Sequence, residues 1–460
     1  MYRFYINNVD NDYHYGELAR VFLADDDFEL ITVNFDNCEK IILSDNSFIV
    51  NKSNSDDRDV IKAELYRLLS DITGLTSDWG ILTGVRPLKL ALEIYHEQGS
   101  IRKMQEILHE RYLVSGSKIR LLTEIVEYQV NHISGIPFEK LSLYVGIPFC
   151  PTRCAYCSFA SNVASDAEIE KYFNNLLKEI EYMGALTVAN GTALESIYIG
   201  GGTPTTLNAE QLHKLIVKIS DSFCIKPSEI EFTVEAGRPD TITADKLTSM
   251  RELGISRISI NPQTMKDETL KLIGRNHTTQ DIINAYNLSR EYGFDVINAD
   301  LIAGLPDEDF DDFRKSINEV INLGANNITV HTLSVKRGSR LREEDPEYYR
   351  QNAITVAKML DYAHDVLAEN GYFPYYIYRQ KHQIGFFENV GYCKENKHSI
   401  YNVRIMEDKQ TIIGLGAGAI GKVYYPDEDR LERIANVSNY QVYSDRFDEM
   451  IERKNNYFGG

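Results

Sequence analysis

The chain has 460 residues, 43% of them hydrophobic and 25% charged, with a net charge of −19. That length supports a large core and more than one domain, and the acidic balance excludes a general phosphate-backbone binder, so no nucleic-acid partner is expected. No run of about 18 apolar residues is present and the opening MYRFYINNVDND is polar and charged, so neither a membrane span nor an export signal is expected; the expected location is cytoplasmic, with thiols kept reduced.

In chain order, the alternating runs YRFYIN, FELITVNF and KIILSDNSFIV within residues 1–50 predict strands of a small antiparallel sheet. Helical spacing predicts helices over 57–69, over 87–95 with a proline in the first turn, and two more within 101–132. These elements make an N-terminal α+β domain, 1–135. Within it, ILTGVRPLK at 81–89 sets Arg86 on a turn, readable as a solvated turn residue or as one facing an active site. HISGIPFEK at 132–140 reads as a linker.

From 141 to 332 a strand, loop, helix pattern repeats, with candidate strands at 141–147, 196–200, 231–235, 257–261, 296–302 and 327–333. Six such units predict an α/β fold, an incomplete (β/α)6 barrel over 136–335, with its chemistry in the loops after the C-terminal strand ends. Residues 336–460 are expected to form a C-terminal α+β region on the substrate side.

The first of these strands empties into YVGIPFCPTRCAYCSF, which carries Cys150, Cys154 and Cys157. Three thiolates spaced CxxxCxxC can hold one face of an iron–sulfur cube. The fourth iron is then open to the amino and carboxylate groups of a methionine, the arrangement in which a cluster reduces S-adenosylmethionine (SAM). A structural zinc site and disulfides are the alternatives; zinc wants a fourth Cys or His at local spacing, and disulfides suit an exported chain.

Other strand ends add suitable groups. In Gly200-Gly201-Gly202-Thr203-Pro204 absent side chains let a ligand approach the backbone. Glu235 lies in FTVEAGRPD, Gln263 in SINPQ with Arg275 twelve residues on, and Asp300 in NADLIAGLP. Carboxylates suit an amine or ribose hydroxyls, a guanidinium suits a carboxylate, and a buried acid such as Asp300 wants a partner.

Beyond 335 come a charged loop, KRGSRLREEDPEYYR, a helix over 347–369, and a tyrosine-rich stretch with strands expected in PYYIYRQ and KQTIIGLG. Gly416, Gly418 and Gly421 satisfy GxGxxG, but no complete βαβ unit accompanies them and the dinucleotide reading is set aside. His331, His382 and His398 are each readable as a ligand or as a satisfied structural histidine.

The cysteine segment, GGGTP, Gln263, Arg275 and Asp300, in this order and at similar spacing, resemble the radical SAM family of oxygen-independent coproporphyrinogen III oxidases and their haem-chaperone relatives over 141–425. GIPFCPTRC, TGVRP, YRQK at 378–381 and ENVGY at 388–392 are similar to its coproporphyrinogen dehydrogenase branch. The resemblance implies a [4Fe-4S] cluster on Cys150, Cys154 and Cys157, which with Tyr144 form the catalytic set. It also implies SAM held by Tyr144, Tyr156, Gly201, Gly202, Thr203, Glu235, Gln263, Arg275 and Asp300, with Tyr156 beside the adenine and the GGGTP residues on the amino group. The implied reaction, in haem biosynthesis, is oxidative decarboxylation of coproporphyrinogen III to protoporphyrinogen IX, with a tetrapyrrole substrate and an external electron donor and acceptor.

A tetracarboxylate in so acidic a protein calls for local cations, and Lys336, Arg337, Arg340, Arg379 and Lys381 are candidates, each also readable as surface charge. The chain departs from the family pattern in three places: Gly146 stands where most of the wider family has histidine, Phe159 where some members have a further cysteine, and HSIYNVRIM at 398–406 replaces the chaperone's HN and YW signature. Two other readings would share the cluster: a radical SAM enzyme that methylates haem and opens its ring, and a haem-binding chaperone-type protein.

Overall fold

The structure is a computed structural model describing residues 1–34, 46–133, 135, 137, 139–157, 161–335, 341, 348, 352–380 and 383–458. It divides into two units, Met1–Glu127 and Tyr128–Gly460.

In the first unit, β1 (Tyr2–Asn7) pairs in parallel with both β2 (Phe28–Val33) and β3 (Ser47–Val50). This corrects the expected antiparallel sheet. The cause is α1 (Tyr13–Phe22), whose Tyr15, Leu18, Ala19 and Phe22 are buried at helical spacing, so the link from β1 to β2 is a crossover helix rather than a hairpin. The rest of the third expected strand, 35–45, lies outside the described residues. Phe4, Ile6, Leu18 and Val50 pack with Leu65 and Leu69 of α2 (Arg58–Thr73) in the core of this unit. Helix α3 (Pro87–Gln98) opens on its proline with Arg86 as the capping residue; α4 (Ile101–Glu110) and α5 (Gly116–His132) follow.

The second unit is organised on six parallel strands: β4 (Lys140–Ile147), β5 (Ala193–Gly201), β6 (Glu231–Gly237), β7 (Arg257–Ile260), β8 (Val296–Ala303) and β9 (Asn327–Thr332). Helices α6 (Asp166–Ala189), α7 (Ala209–Ser222), α8 (Ala244–Glu252), α9 (Asp267–Leu272), α10 (Thr279–Glu291) and α11 (Phe310–Asn322) lie between them in the chain. Several helices open on a reciprocal box that satisfies free backbone N–H groups: Gln211 N–H donates to Asn208 at 2.8 Å and Asn208 N–H to Gln211 at 3.1 Å, with similar boxes at Thr278 and Asp309.

The six strands do not close on themselves. The second neighbour of β4 is β12 (Ile412–Leu415) and that of β9 is β11 (Glu388–Cys393). Antiparallel strands extend both ends, β10 (Phe373–Arg379) beyond β11, and β13 (Ile420–Tyr425) and β14 (Arg430–Ala435) beyond β12. The result is the incomplete (β/α)6 barrel that the strand pattern predicts, with five of the eleven strands of this sheet among the described residues supplied by 373–435.

The GxGxxG stretch joins β12 to β13, not a strand to a helix. Gly416 N–H donates to the buried carboxylate of Glu179 at 2.7 Å, and a Cβ at Gly416 would lie 2.4 Å from the Tyr172 hydroxyl, so close packing accounts for that glycine. Among the described residues no helix is long and apolar enough to cross a membrane.

Candidate active site

The cysteine loop leaves β4 through Pro148 and Phe149 and is pinned at its base. Cys150 N–H donates to Asn162 O at 3.0 Å and Asn162 N–H to Pro148 O at 2.9 Å. Its middle rests on the turn after α9: Ala155 N–H donates to Ile273 O at 3.0 Å and the Thr152 hydroxyl to Gly274 O at 2.8 Å. The glycine turn after β5 lies against it, with Gly202 N–H on Ile147 O at 2.8 Å and Thr203 N–H on Phe149 O at 2.7 Å. A Cβ at Gly202 would stand 2.5 Å from Phe149 O and 3.0 Å from Cys150 Sγ, so only glycine admits this approach. The Thr203 hydroxyl is 3.4 Å from Cys150 Sγ. Burial, the largest influence, pushes the Cys150 thiol up to about 11 in the metal-free chain, with Thr203 pulling the other way.

A cavity of about 290 Å³ opens at these strand ends, close to the lower end of the roughly 300–1,000 Å³ of small-molecule sites. Cys150, Cys154, Cys157, Tyr156, Gly201, Gly202, Thr203, Glu235, Gln263, Arg275 and Asp300 all line it. Tyr144 does not; it stands behind the wall, its hydroxyl 3.4 Å from where a Gly201 Cβ would be, in a tyrosine stack with Tyr198 and Tyr401. Gly146 also faces inward, its would-be Cβ 3.4 Å from the Leu415 and Ala417 carbonyls of β12 and the turn after it.

Charge is arranged unequally within the cavity. Burial, reinforced by Asp300, pushes Glu235 up to about 8 against the opposing pull of the Gly201 N–H and Arg275. Asp300 moves the other way: burial raises it, but hydrogen bonds from His331, Asn298 and Thr329 hold it below the ordinary carboxylate range. Two neighbouring acids are thus driven apart, one protonated and one ionised. Burial opposes the charge of Arg275, but Tyr156 and Cys154 beside it raise its pKa above the usual guanidinium value. Arg275 donates to Asn261 O at 2.6 Å, while its Nε is buried without a partner. Gln263 adopts φ +68°, held there by Gln263 N–H on Asp300 O at 2.8 Å and Ile302 N–H on Gln263 O at 3.0 Å, strain of the kind found at binding sites.

Several wall residues were not singled out from sequence. Arg238, inside the quoted FTVEAGRPD, donates to the Thr152 hydroxyl at 2.6 Å. Asn261, in the stretch between the end of β7 and Gln263, donates to Glu235 at 3.3 Å. Tyr378, Gln380 and Asn389 come from β10 and β11 and their ends.

His331 lines the cavity, with Nε2 3.7 Å from Asp300 and Nδ1 3.2 Å from the Tyr378 hydroxyl. His398 takes a structural place, its Nδ1 3.1 Å from the Tyr128 hydroxyl. Arg379 takes the opposite strand face from Tyr378 and Gln380 and donates to Phe386 O at 2.8 Å, so the expectation that it faces a substrate is corrected by strand alternation. Lys336, Arg337, Arg340, Phe159, Lys381 and His382 lie outside the described residues.

The donor set suits an iron–sulfur cube with SAM on its open iron: three thiols on one wall, a buried arginine nitrogen without a partner, and carboxylates for an amine and a diol. Among the described residues no three His, Cys, Asp or Glu side chains meet as ligands of a single ion, whereas a cube spreads its thiolates over separate irons.

Comparison with known proteins agrees. The profile of the Radical SAM superfamily matches residues 144–320. A Bacillus subtilis (strain 168) relative, the oxygen-independent coproporphyrinogen-III oxidase-like protein HemZ, is 41% identical over 394 residues, 85% of this chain and 79% of its own. The heme chaperone HemW of the same organism is 33% identical over 61% of this chain and 71% of its own. Among solved structures, coproporphyrinogen III oxidase (HemN) from Escherichia coli superposes with a TM-score of 0.55 at 23% identity, covering 70% of this chain and 72% of that one. The chain therefore belongs to the radical SAM superfamily and, within it, to the family of oxygen-independent coproporphyrinogen-III oxidase-like proteins. Its cofactors are a [4Fe-4S] cluster and SAM.

Proposed function

We propose that the protein carries out the oxygen-independent oxidative decarboxylation of coproporphyrinogen III to protoporphyrinogen IX. The observation that carries the substrate assignment is the 41% identity to the HemZ protein across most of both chains. When bound, the cluster and SAM supply a 5′-deoxyadenosyl radical that removes one hydrogen atom from a substrate carbon.

The chain's own residues prepare that event. Cys150, Cys154 and Cys157 would hold the cluster, and the backbone of Gly201 and Gly202 with Thr203 would take the methionyl amine. Arg275, with its free Nε, would grip the methionyl carboxylate; Gln263 and Asp300 would hold the ribose; Tyr156 would lie against the adenine. Glu235 accepts a further hydrogen bond from the amine once it gives up its proton, and Tyr144 backs the glycine turn. On the substrate, each of the two propionate side chains that react loses a hydrogen atom from its β-carbon, then carbon dioxide and one electron, leaving a vinyl group, while the other two propionates are kept. The electron goes to an external acceptor, and an external donor would supply the electron that SAM cleavage consumes. Cytoplasm is the compartment this chemistry fits, because its thiols stay reduced.

The test is an anaerobic reaction of cluster-reconstituted protein with SAM, a strong reductant and coproporphyrinogen III, followed by mass analysis of the tetrapyrrole. Loss of two carbon dioxides and four hydrogens is the expected result; 5′-deoxyadenosine with an unchanged tetrapyrrole would overturn the substrate assignment. The identity to HemW favours a second reading, binding and delivery of haem, which predicts stoichiometric haem binding without tetrapyrrole turnover.

A further inference from the structure

Strands β10 and β11 form the end of the barrel sheet farthest in strand order from β4, yet Tyr378, Gln380 and Asn389, from segments quoted in the sequence, line the same cavity as the cysteines. Tyr378 stands opposite Asn389 in the β10–β11 register. Asn389 is only 1% exposed. Its Oδ1 accepts from Thr332 N–H at 2.8 Å and from Gln383 Nε2 at 2.8 Å. Both partners are N–H donors, so the amide cannot be turned end for end without setting donor against donor. Gln383 is itself fixed, since its Oε1 accepts from Gln380 N–H at 2.6 Å. The other end of the Asn389 amide, Nδ2, is thereby fixed as a donor, and it is buried without a partner.

A buried donor left unpaired is unfavourable and awaits an acceptor. Gln380 and His331 add polar groups to the same wall. The described carboxylates of the cavity are Glu235 and Asp300, both placed on the SAM side in the reading above. Arg275 holds the cavity's other unpartnered buried donor nitrogen, and it serves the methionyl carboxylate. Two separate donors on two walls call for two acceptors.

We propose that Asn389, with Gln380 and His331, forms a carboxylate subsite that receives one propionate arm of the tetrapyrrole, a reading that rests on the proposed substrate. Asn389 is in this view a specificity residue that orients the macrocycle against the cysteine wall.

The test uses the full, cluster-reconstituted chain and coproporphyrin III as a fluorescent probe under anaerobic conditions, with SAM titrated separately. Asn389→Asp keeps the oxygen that Thr332 and Gln383 need and replaces the donor by a second oxygen. It is expected to weaken coproporphyrin III binding by about tenfold, leave iron content and SAM affinity unchanged, and cost nothing toward the tetramethyl ester of the probe, which lacks the carboxylates. Gln380→Glu, at a half-buried position, is expected to change probe affinity in the same direction and supplies the reading if Asn389→Asp does not fold.

Unchanged affinity for the acid in folded variants overturns the subsite and leaves the decarboxylation reading standing. Loss of SAM affinity instead places a SAM carboxylate on Asn389 and overturns the substrate-arm proposal. Failure of the unaltered protein to bind coproporphyrin III overturns the subsite, and the mass analysis of the coproporphyrinogen III reaction decides the decarboxylation reading separately.

Discussion

Arg238 donates to the hydroxyl of Thr152 at 2.6 Å, so an arginine at the end of β6 grips the midpoint between the first two cysteines. Its remaining nitrogens fork onto Asp240 at 3.1 and 3.2 Å, and Asp240 also holds His277 at 3.2 Å. Burial would raise Asp240, but His277 and Arg238 keep it below the ordinary carboxylate range. Arg238→Ala leaves this acid with His277 alone and removes one of the contacts that hold the cysteine loop to the barrel. Arg238 is buried but Asp240 is partly exposed, so the cost is expected to fall below the roughly 3–5 kcal/mol of a fully buried pair. The expected result is a lower unfolding midpoint and less iron bound per chain after reconstitution. Full iron content at unchanged stability would show that the grip on Thr152 does not matter.

Glu235 gives a pH dependence with a defined sign. It is faced by Asp300, Arg275, Tyr198, the Gly201 N–H and the Asn261 amide, and is pushed up to about 8. Below that pH its carboxyl keeps the proton, whereas the N–H donors of the methionyl amine favour the carboxylate. Binding SAM must then release a proton, so SAM affinity is expected to rise with pH by up to about tenfold per unit and level off above 8. The fold shows the opposite trend. A raised carboxyl pKa contributes stability that is complete below the unfolded-state value and is lost as pH rises through about 8. Calorimetric SAM titrations across this range check the first point, and Glu235→Gln should flatten the curve. A flat profile in the unaltered protein would contradict it.

Gly202→Ala tests the close approach of two strand-end loops. The added methyl would meet Phe149 O at 2.5 Å and Cys150 Sγ at 3.0 Å, and neither is the free end of a flexible side chain. Overpacking of this kind costs about 1–3 kcal/mol, which corresponds to roughly a five- to hundredfold loss in SAM affinity if the turn and cysteine loop separate. Visible absorbance of the reconstituted cluster and SAM titration read the two effects separately. Normal values for both would show that the loops can part without harm.

These sites differ in how far the sequence exposes them. The cysteine loop and the glycine turn are local, so their spacing alone shows the chemistry. Glu235, Gln263 and Asp300 were legible because each is a polar residue within or just after a run of buried strand residues, near the strand ends that a parallel barrel turns toward one face. Asn389 was not, because its role depends on β11 lying beside β9, with Thr332 and Asn389 57 residues apart in the chain. Arg379 was misplaced by one position, which in a strand is a whole face: Gln380 reaches the cavity and Arg379 does not. In the first unit the error was one of connection. A ten-residue helix, Tyr13–Phe22, sits between runs that otherwise look like a meander, and that helix makes the sheet parallel.

The last prediction concerns a buried pair far from the cysteines in sequence and tied to them in space. Glu179 and Lys454 are 0% and 2% exposed and paired. The Glu179 carboxylate also accepts from Gly416 N–H at 2.7 Å, Tyr443 at 2.7 Å and Asn436 at 2.9 Å. One residue beyond Gly416, Ala417 N–H donates to the Tyr172 hydroxyl, which donates to Gly146 O at 2.6 Å, just before the cysteine loop. Lys454→Met leaves a carboxylate buried without its cation and is expected to cost about 3–5 kcal/mol in urea denaturation. For an isolated buried pair, making both partners apolar often restores stability. Here Glu179→Leu added to Lys454→Met should restore only part, because the Gly416 N–H, the Asn436 amide and the Tyr443 hydroxyl then lose their shared acceptor. Full recovery in the double variant would mean that the ion pair acts alone and that the path from Lys454 to Gly146 carries no energy.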